Sequence, residues 1–424
     1  MLPCIYLATD QLPKAREAVL QLLARSAKHE RLPHAIHEIV EQAEVLGKTL
    51  QAGQICQNIL TAQPDHPQAI WLKMGIAVAN AHLGDDQAVD AVLQDIIAHH
   101  APDERAAEAL GQTAWAYRKL AQPDKARKIY QYVVDNWPSK DRAIFSQRGI
   151  VLCSIAMNDQ VAAAAGVQKL LTGFAGDAHL PETLAHIAEY QLQRRNLEDS
   201  RQLYQYIVDQ YPEHEIVTRS TAKLAQVKIL QGDDNAAGAI LHHILADYAN
   251  SPKLAEAVRL VGEGYYVRAM AQLAQARKEA SPDVNLPRSR VALPESALQD
   301  HRKAIEILEM VIHKPPPKAS DTPNAYHVAA ESYKQIGQPQ KAIEYYQQLC
   351  DNWPNYEYAW HVQYLIGRTY ENLKELGTIS PSEADPKIKA AYEQILAKYP
   401  TSRAAQPARD RLARYAQLQQ GGEK

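Results

Sequence analysis

A repeat of 37 residues is the feature that most restricts how this chain of 424 residues folds. Segments of the same kind end at six positions with that spacing, namely Gln63, His100, Trp137, Phe174, Tyr211 and Tyr248. The best-matched segments, 130–138 and 204–212, are offset by 74 residues, which is two periods. A fixed period of this size is the signature of a repeat array, in which each unit packs mainly against its neighbours. The sequence therefore predicts an array and not two or three separate globular domains.

Each unit is predicted to be a pair of helices. In the second helix, Ala126, Tyr130 and Val133 fall at i, i+4 and i+7, which is one face of an α-helix. Glycines recur five residues before the second-helix alanine, as Gly47 does before Ala52, and predict the turn between the helices. The first helix carries a small residue where we expect its partner to approach closely; these residues are Ala114, Ala188, Ala225, Gly262, Ala330 and Gly367.

This pattern resembles the tetratricopeptide repeat (TPR) family, whose first helix carries a small residue and an aromatic, followed by a glycine turn. Gly262 and Tyr265 show the first part, and the run of Gly337, Ala342, Tyr346, Leu349 and Pro354 shows the second. Units of 37 residues that end Tyr-Pro-x-Ser, as at Tyr399–Ser402, are similar to those of bacterial envelope proteins such as the Tol-Pal coordinator and outer-membrane assembly lipoproteins. The resemblance implies an all-α, right-handed α-solenoid of about ten stacked helix-turn-helix units.

The resemblance also implies which residues contact a partner, because TPR arrays bind peptides along the inner, concave groove lined by the first helices. If those positions carry over, the partner-binding residues are Trp71, Met74, Trp115, Arg118, Arg148 and Glu189. The alternative for Trp71 and Trp115 is that the rings only fill the seams between helices, as buried aromatics often do.

Two interruptions of the period divide the chain. The interval from Tyr248 to Pro315 is 67 residues, one period plus thirty, and helical patterns on both sides of 281–294 predict a hairpin of two overlong helices between Ser251 and His313. A smaller insertion covers 377–386, and 314–318 is a proline-rich connector. We therefore expect a regular solenoid over 1–250 with a truncated first unit, an inserted unit over 251–321, and further units with a capping helix over 322–420.

Composition and motifs argue against several classes of function. The formal net charge is −3 and no basic stripe occurs, so a nucleic-acid partner is not expected. No apolar run is long enough for a membrane span. Gly47-Lys48-Thr49 lacks the first glycine of a phosphate-binding loop, and neither the four dispersed cysteines nor the histidines have zinc-site spacing. We expect no metal, no cofactor and no catalytic residue.

The sequence therefore predicts a non-enzymatic scaffold that binds another protein, as an extended peptide or a helix, in its concave groove. One alternative is an envelope assembly subunit, and another is a helical platform attached to an enzyme module outside this chain. We expect a cytoplasmic location if Met1 is the true start, and a periplasmic or envelope location if sequence upstream is missing.

Overall fold

The computed structural model describes residues 2–25, 32–100, 103–138, 141–280, 292–313 and 322–421, which form 21 α-helices and no strand. The helices are α1 (Leu2–Ala8), α2 (Leu12–Arg25), α3 (Leu32–Val45), α4 (Thr49–Ala62), α5 (Ala69–Leu83), α6 (Asp86–His100), α7 (Glu104–Lys119), α8 (Pro123–Asn136), α9 (Asp141–Ala156), α10 (Gln160–Gly173), α11 (Leu180–Gln193), α12 (Leu197–Gln210), α13 (Val217–Gln231), α14 (Asp234–Asp247), α15 (Leu254–Ala280), α16 (Glu295–Ile312), α17 (Thr322–Gln335), α18 (Pro339–Asn352), α19 (Ala359–Glu375), α20 (Pro381–Lys398) and α21 (Ala405–Gly421).

The chain divides into two compact units, unit 1 (Met1–Gln191) and unit 2 (Leu192–Lys424). We call the odd-numbered helices up to α19 helix A and the even-numbered ones helix B. In unit 1 each helix A from α1 to α9 packs against the helix B that follows it, and α1, α3, α5, α7 and α9 pack successively against one another. In unit 2, α13, α15 and α17 stack in the same way, and α21 packs on α20 as a cap. The predicted all-α array of paired helices is confirmed. The predicted boundaries between its three segments, at residues 250 and 321, stay a prediction.

The turn between helix A and helix B recurs with the 37-residue spacing and has a left-handed backbone each time. The residues with positive φ at this spacing are Asp10, Gly47, Gly84, Ala121, Asn158, Arg195 and Gly232. Gly47 has a φ of 67° and a glycine adopts this conformation without strain, whereas Ala121 holds a φ of 56° with a side chain. Because stacking of the two helices demands the turn, the backbone geometry persists where glycine is absent.

Glycine in helix A allows the partner helix to approach closely, as predicted for Gly262 and Gly367. A Cβ atom on Gly262 would lie 2.8 Å from Cγ of Leu308 in α16, and one on Gly367 would lie 2.8 Å from the ring of Tyr392 in α20. These distances are shorter than real Cβ atoms show, so only glycine fits without a shift of the packed side chain.

The predicted overlong helices are present. Helix α15 has 27 residues and is 12 residues longer than α13, which adds about 18 Å at 1.5 Å per residue. Helix α16 has 18 residues and packs against α15. The segment 281–291, which would close the hairpin, and the proline-rich connector 314–318 lie outside the described residues. The smaller insertion is absorbed by α20, which has 18 residues and begins with Ser380 accepting a hydrogen bond from the backbone N–H of Glu383.

A charged network holds the extended helices where the regular part of α15 ends. The Arg268 guanidinium donates two hydrogen bonds of 2.8 and 2.6 Å to Asp300 of α16 and two of 2.8 and 3.2 Å to Asp234 of α14. It also donates to the backbone oxygen of Ile229 at 2.7 Å, and Lys303 donates to Asp234 at 2.7 Å. Hydrogen bonds to Asp300 raise the pKa of Arg268 above its ordinary value. Asp300 is 3% exposed, so the ion pair with Arg268 compensates a charge that is almost removed from water.

His301 follows Asp300 and is completely buried where α15, α16 and α17 meet. Its Nδ1 atom lies 3.2 Å from Oγ of Ser332, its ring contacts Tyr266 at 5.7 Å between centroids, and its Nε2 atom has no hydrogen-bond partner. Burial lowers the pKa of His301 to about 4, although the carboxylates of Asp300 and Glu331 act in the opposite direction. The imidazole is therefore neutral in the folded chain at neutral pH.

Exchanging the turn residues should shift stability in opposite directions. We expect Ala121→Gly to raise the free energy of unfolding of unit 1 by roughly 0.5 kcal/mol, because relief of the left-handed strain exceeds the added entropy of the unfolded chain. We expect Gly47→Ala to lower it by about 1 kcal/mol, although no atom lies within 4 Å of the added Cβ. Urea denaturation curves of both variants measure this. Equal shifts of the same sign would contradict the role assigned to the turn.

Acidification should destabilise unit 2 through His301. Its folded pKa of about 4 lies below the value of an exposed histidine, so stability is complete above about pH 6.5 and falls as the pH drops towards 4. Between pH 7 and pH 5 we expect a loss of about 2 kcal/mol that is absent in His301→Asn. His242→Asn is the matched control, because His242 is exposed on α14. A His301→Asn profile that parallels the wild type would show that another group titrates.

Candidate functional site

Two of the predicted partner-binding residues are buried in the core of unit 1. Trp71 is 2% exposed and Met74 is completely buried, so the expectation that both face an open groove is wrong. The reason is that α5 packs against α3, α4, α6 and α7 and is apolar on almost every face. A helix that is hydrophobic all round is a buried helix. For Trp71 the alternative, a ring that fills a seam, describes its position.

Trp115 lies on α7 and remains half-exposed. The Lys119 ammonium, one helical turn further on, lies 3.8 Å from the centre of the indole ring, a cation–π contact. Lys119 also forms an ion pair with Glu44 of α3. The Oε1 atom of Glu44 lies 3.0 Å from Nε2 of His82 on α5. The lysine is thus fixed by a carboxylate two helix pairs away and in turn orients the tryptophan ring.

Arg118 and Arg148 are brought together through Tyr130 of α8. A Cβ atom on Gly149 would lie 2.5 Å from the Tyr130 ring, so this glycine lets the ring pack directly against α9. The buried Tyr130 hydroxyl interacts with Arg118 of α7 and lies within electrostatic reach of Arg148 of α9. Burial raises the pKa of Tyr130 to about 12, so its hydroxyl is protonated.

The two arginines share one feature: within the described part of the chain, no carboxylate forms an ion pair with Arg118 or Arg148, and both side chains are half-buried. Burial lowers the pKa of Arg148, and the positive charge of Arg118 lowers it further. The Arg148 guanidinium lies 5.2 Å from the centre of the Phe145 ring, and Phe145 in turn contacts the ring of His179 at 5.3 Å.

Open space adjoins this cluster at Gly111. Gly111, Trp115 and Arg118 fall at i, i+4 and i+7 of α7 and share one face of that helix. A Cβ atom on Gly111 would meet no atom within 4 Å. We call the surface formed by Gly111, Trp115, Arg118, Phe145 and Arg148 the arginine–aromatic face.

The remaining predicted residue, Glu189, lies half-buried on α11 and already interacts with other groups of the chain. Sequence reasoning missed Phe145 and Tyr130 as members of the site. Phe145 is three residues before Arg148 on α9, so the i, i+3 spacing could have indicated it. Tyr130 matches the core position of every helix B, and its contact with the arginines depends on the packing of α8 against α9.

On the A helices of unit 2, several charged residues are paired within one helix. Arg259 pairs with Glu263 on α15, Lys334 donates to Glu331 at 2.6 Å on α17, and Arg368 donates to Glu371 at 2.7 Å on α19. In each of these three pairs, the positive charge is therefore balanced by a carboxylate of the same helix.

The described residues give no support to a metal or membrane-spanning role. They contain no group of three or more His, Cys, Asp or Glu side chains arranged to hold a metal ion, and none of their helices is long and apolar enough to cross a membrane. A cavity in unit 1 is lined by apolar side chains, among them Val19, Ile39, Ile55 and Leu72, and by the thiol of Cys56, whose pKa burial raises to about 12.

Comparison with known proteins agrees with the helix pairs. The tetratricopeptide repeat family model matches residues 108–139, which lie in α7 and α8, and residues 325–356, which lie in α17 and α18. A search of curated protein sequences finds no match.

Solved structures of helical repeat proteins are similar to the chain at low identity. One is a tetratricopeptide repeat protein from Parabacteroides merdae ATCC 43184, with 16% identity, a TM-score of 0.34, and coverage of 71% of this chain and 98% of that one. Another is the human IFIT1 dimer with m7Gppp-AAAA, with 15% identity, a TM-score of 0.36, and coverage of 97% and 86%. At these identities and TM-scores, the ligands of those structures say nothing about the ligands of this chain. The two segments matched by the family model are tetratricopeptide repeats, and the helix pairs of both units follow the same pattern.

Proposed function

We propose that this chain is a non-enzymatic TPR scaffold that binds another protein through the arginine–aromatic face of unit 1. The observation that carries the proposal is the pair Arg118 and Arg148, half-buried and without a carboxylate partner in the described part of the chain, beside the half-exposed ring of Trp115. Helix A residues line the inner surface of a repeat array, which is where such arrays bind extended partners.

The residue types support this choice of surface. Tryptophan and arginine are enriched among the few residues that dominate the binding energy of protein interfaces. Trp115 is held by Lys119, so its ring loses little conformational entropy on binding. Arg148 is stacked against Phe145 and is similarly restrained. A preorganised surface of this kind suits a partner that arrives as an extended peptide or a helix.

The second candidate is an envelope assembly subunit, favoured by units of 37 residues and the Tyr-Pro-x-Ser ending at Tyr399–Ser402. It would use the same surface for a partner in the cell envelope. Fractionation of the source cells, with an antibody against the native chain, tests it: recovery with the soluble cytoplasmic proteins alone would contradict the envelope role and leave the scaffold role in place.

Filling the open space at Gly111 should block binding without harming the fold. The variant Gly111→Leu places a side chain where no atom lies within 4 Å of Cβ, and leucine favours the helix over glycine by roughly 0.5–1 kcal/mol. The matched control is Gly238→Leu on α14, where the Cβ site is equally open. Quantitative mass spectrometry of proteins that copurify with the tagged wild type and both variants measures the effect.

We expect partners recovered with the wild type and with Gly238→Leu to be reduced at least tenfold with Gly111→Leu. Circular dichroism and thermal unfolding of all three proteins check that they are folded. If Gly111→Leu is folded and retains the same partners at the same level, the arginine–aromatic face is not the binding surface.

A further inference from the structure

Several of the chain's other half-buried arginines are paired with carboxylates from neighbouring helices. Arg268 holds Asp234 and Asp300, Arg142 of α9 donates to Glu108 of α7 at 2.9 Å, and Arg127 of α8 donates to Asp159 at 3.2 Å before α10. Such pairing is expected, because a charge removed from water is unfavourable unless it is paired.

Arg118 and Arg148 depart from this rule. Their guanidinium groups lie close enough for one to lower the pKa of the other, and both act on the Tyr130 hydroxyl. Like charges in a partly desolvated site repel each other, and a phenol hydroxyl cannot neutralise them. The site is therefore complementary to negative charge supplied from outside the described residues.

We infer that the partner segment bound by the arginine–aromatic face is an acidic peptide, in which carboxylate side chains engage Arg118 and Arg148 and a neighbouring apolar side chain enters the space at Gly111 beside Trp115. This inference rests on the proposed function and names the chemistry of its partner. A guanidinium is planar and presents a fork of N–H donors that matches the two oxygens of a carboxylate.

A peptide fits the face better than a nucleic acid. Binding to a phosphate backbone draws on a run of cationic side chains, because each neutralised phosphate contributes. Here the next cations on either side are already engaged: Lys119 by Glu44 and Arg142 by Glu108. Two arginines next to the open space at Gly111 and the ring of Trp115 suit a short segment with one or two carboxylates and an apolar residue.

Selection of binding peptides tests the inference without knowledge of the natural partner. A displayed library of random peptides, about twelve residues long, is selected on the full-length chain and eluted with 0.5 M sodium chloride, roughly the ionic strength at which exposed ion pairs are screened. We expect Asp and Glu to be enriched at least threefold over the starting library, next to an apolar residue. Enriched peptides without excess carboxylates would overturn the inference.

Variants then locate the site. Fluorescence polarisation of the strongest acidic peptide should show a Kd raised roughly thirtyfold or more by Arg148→Glu and by Arg118→Glu, in line with the loss of a partly buried charge pair. Arg148→Lys should weaken binding less, because it keeps the charge and loses the fork. Arg302→Glu is the control, because Arg302 is 60% exposed on α16 of unit 2. Equal Kd values for the wild type and Arg148→Glu would overturn the inference.

The outcomes separate the inference from the proposed function. Selected peptides that lack carboxylates but lose binding with Gly111→Leu would remove the acidic partner and keep the binding surface. Selected peptides that bind Gly111→Leu as tightly as the wild type would remove both. If an oligoadenylate RNA binds the wild type more tightly than the best peptide does, and Arg148→Glu abolishes that binding, the partner is a nucleic acid and not a peptide. Arg118→Gln and Arg148→Gln repeat the measurement if the charge-reversed variants fail to fold.

Discussion

Contact between a side chain of helix B and a glycine of helix A is the interaction on which both the fold and the proposed site depend. In unit 1 the Tyr130 ring packs against Gly149, and in unit 2 the Tyr392 ring packs against Gly367, each closer than a methyl group would allow. The first contact does more than fill a seam. It brings the buried tyrosine hydroxyl to Arg118, within electrostatic reach of Arg148. A residue that packs the core of the repeat thereby also supports the arginine–aromatic face.

The distribution of paired and unpaired charge distinguishes that surface from the rest of the chain. Most half-buried cations, such as Arg268 and Lys334, have carboxylate partners within the chain. An unpaired, half-buried arginine lowers the stability of the free protein. An anionic partner that binds there removes this unfavourable term, so the same residues that lower stability favour binding. The same logic explains why replacement of either arginine should affect binding more than folding.

The extended helices of unit 2 depend on a different balance. The Arg268 network at the base of the extension joins three helices through the nearly buried carboxylate of Asp300 and the partly exposed one of Asp234, and such networks contribute orientation more reliably than net stability. His301, one residue beyond Asp300, adds a buried imidazole with an unsatisfied nitrogen. We therefore expect acid to act on unit 2 close to the position where the repeat period is broken.

The repeat period by itself determined the helix pairs, the left-handed turns and the places where glycine allows close approach, because these features are local or recur in every unit. It also placed Trp115 off the seam occupied by Ala114 and Tyr117, and the structure leaves this ring partly exposed on α7. The role of Trp115 and Arg118 in partner binding stays a prediction. Only the tertiary structure decided that Trp71 and Met74 are buried, because the burial of α5 comes from four neighbouring helices. The sequence likewise did not show that Arg118 and Arg148 would have no carboxylate partner among the described residues. Charge pairing across helices depends on which side chains face each other after packing, and a repeat pattern does not contain that information.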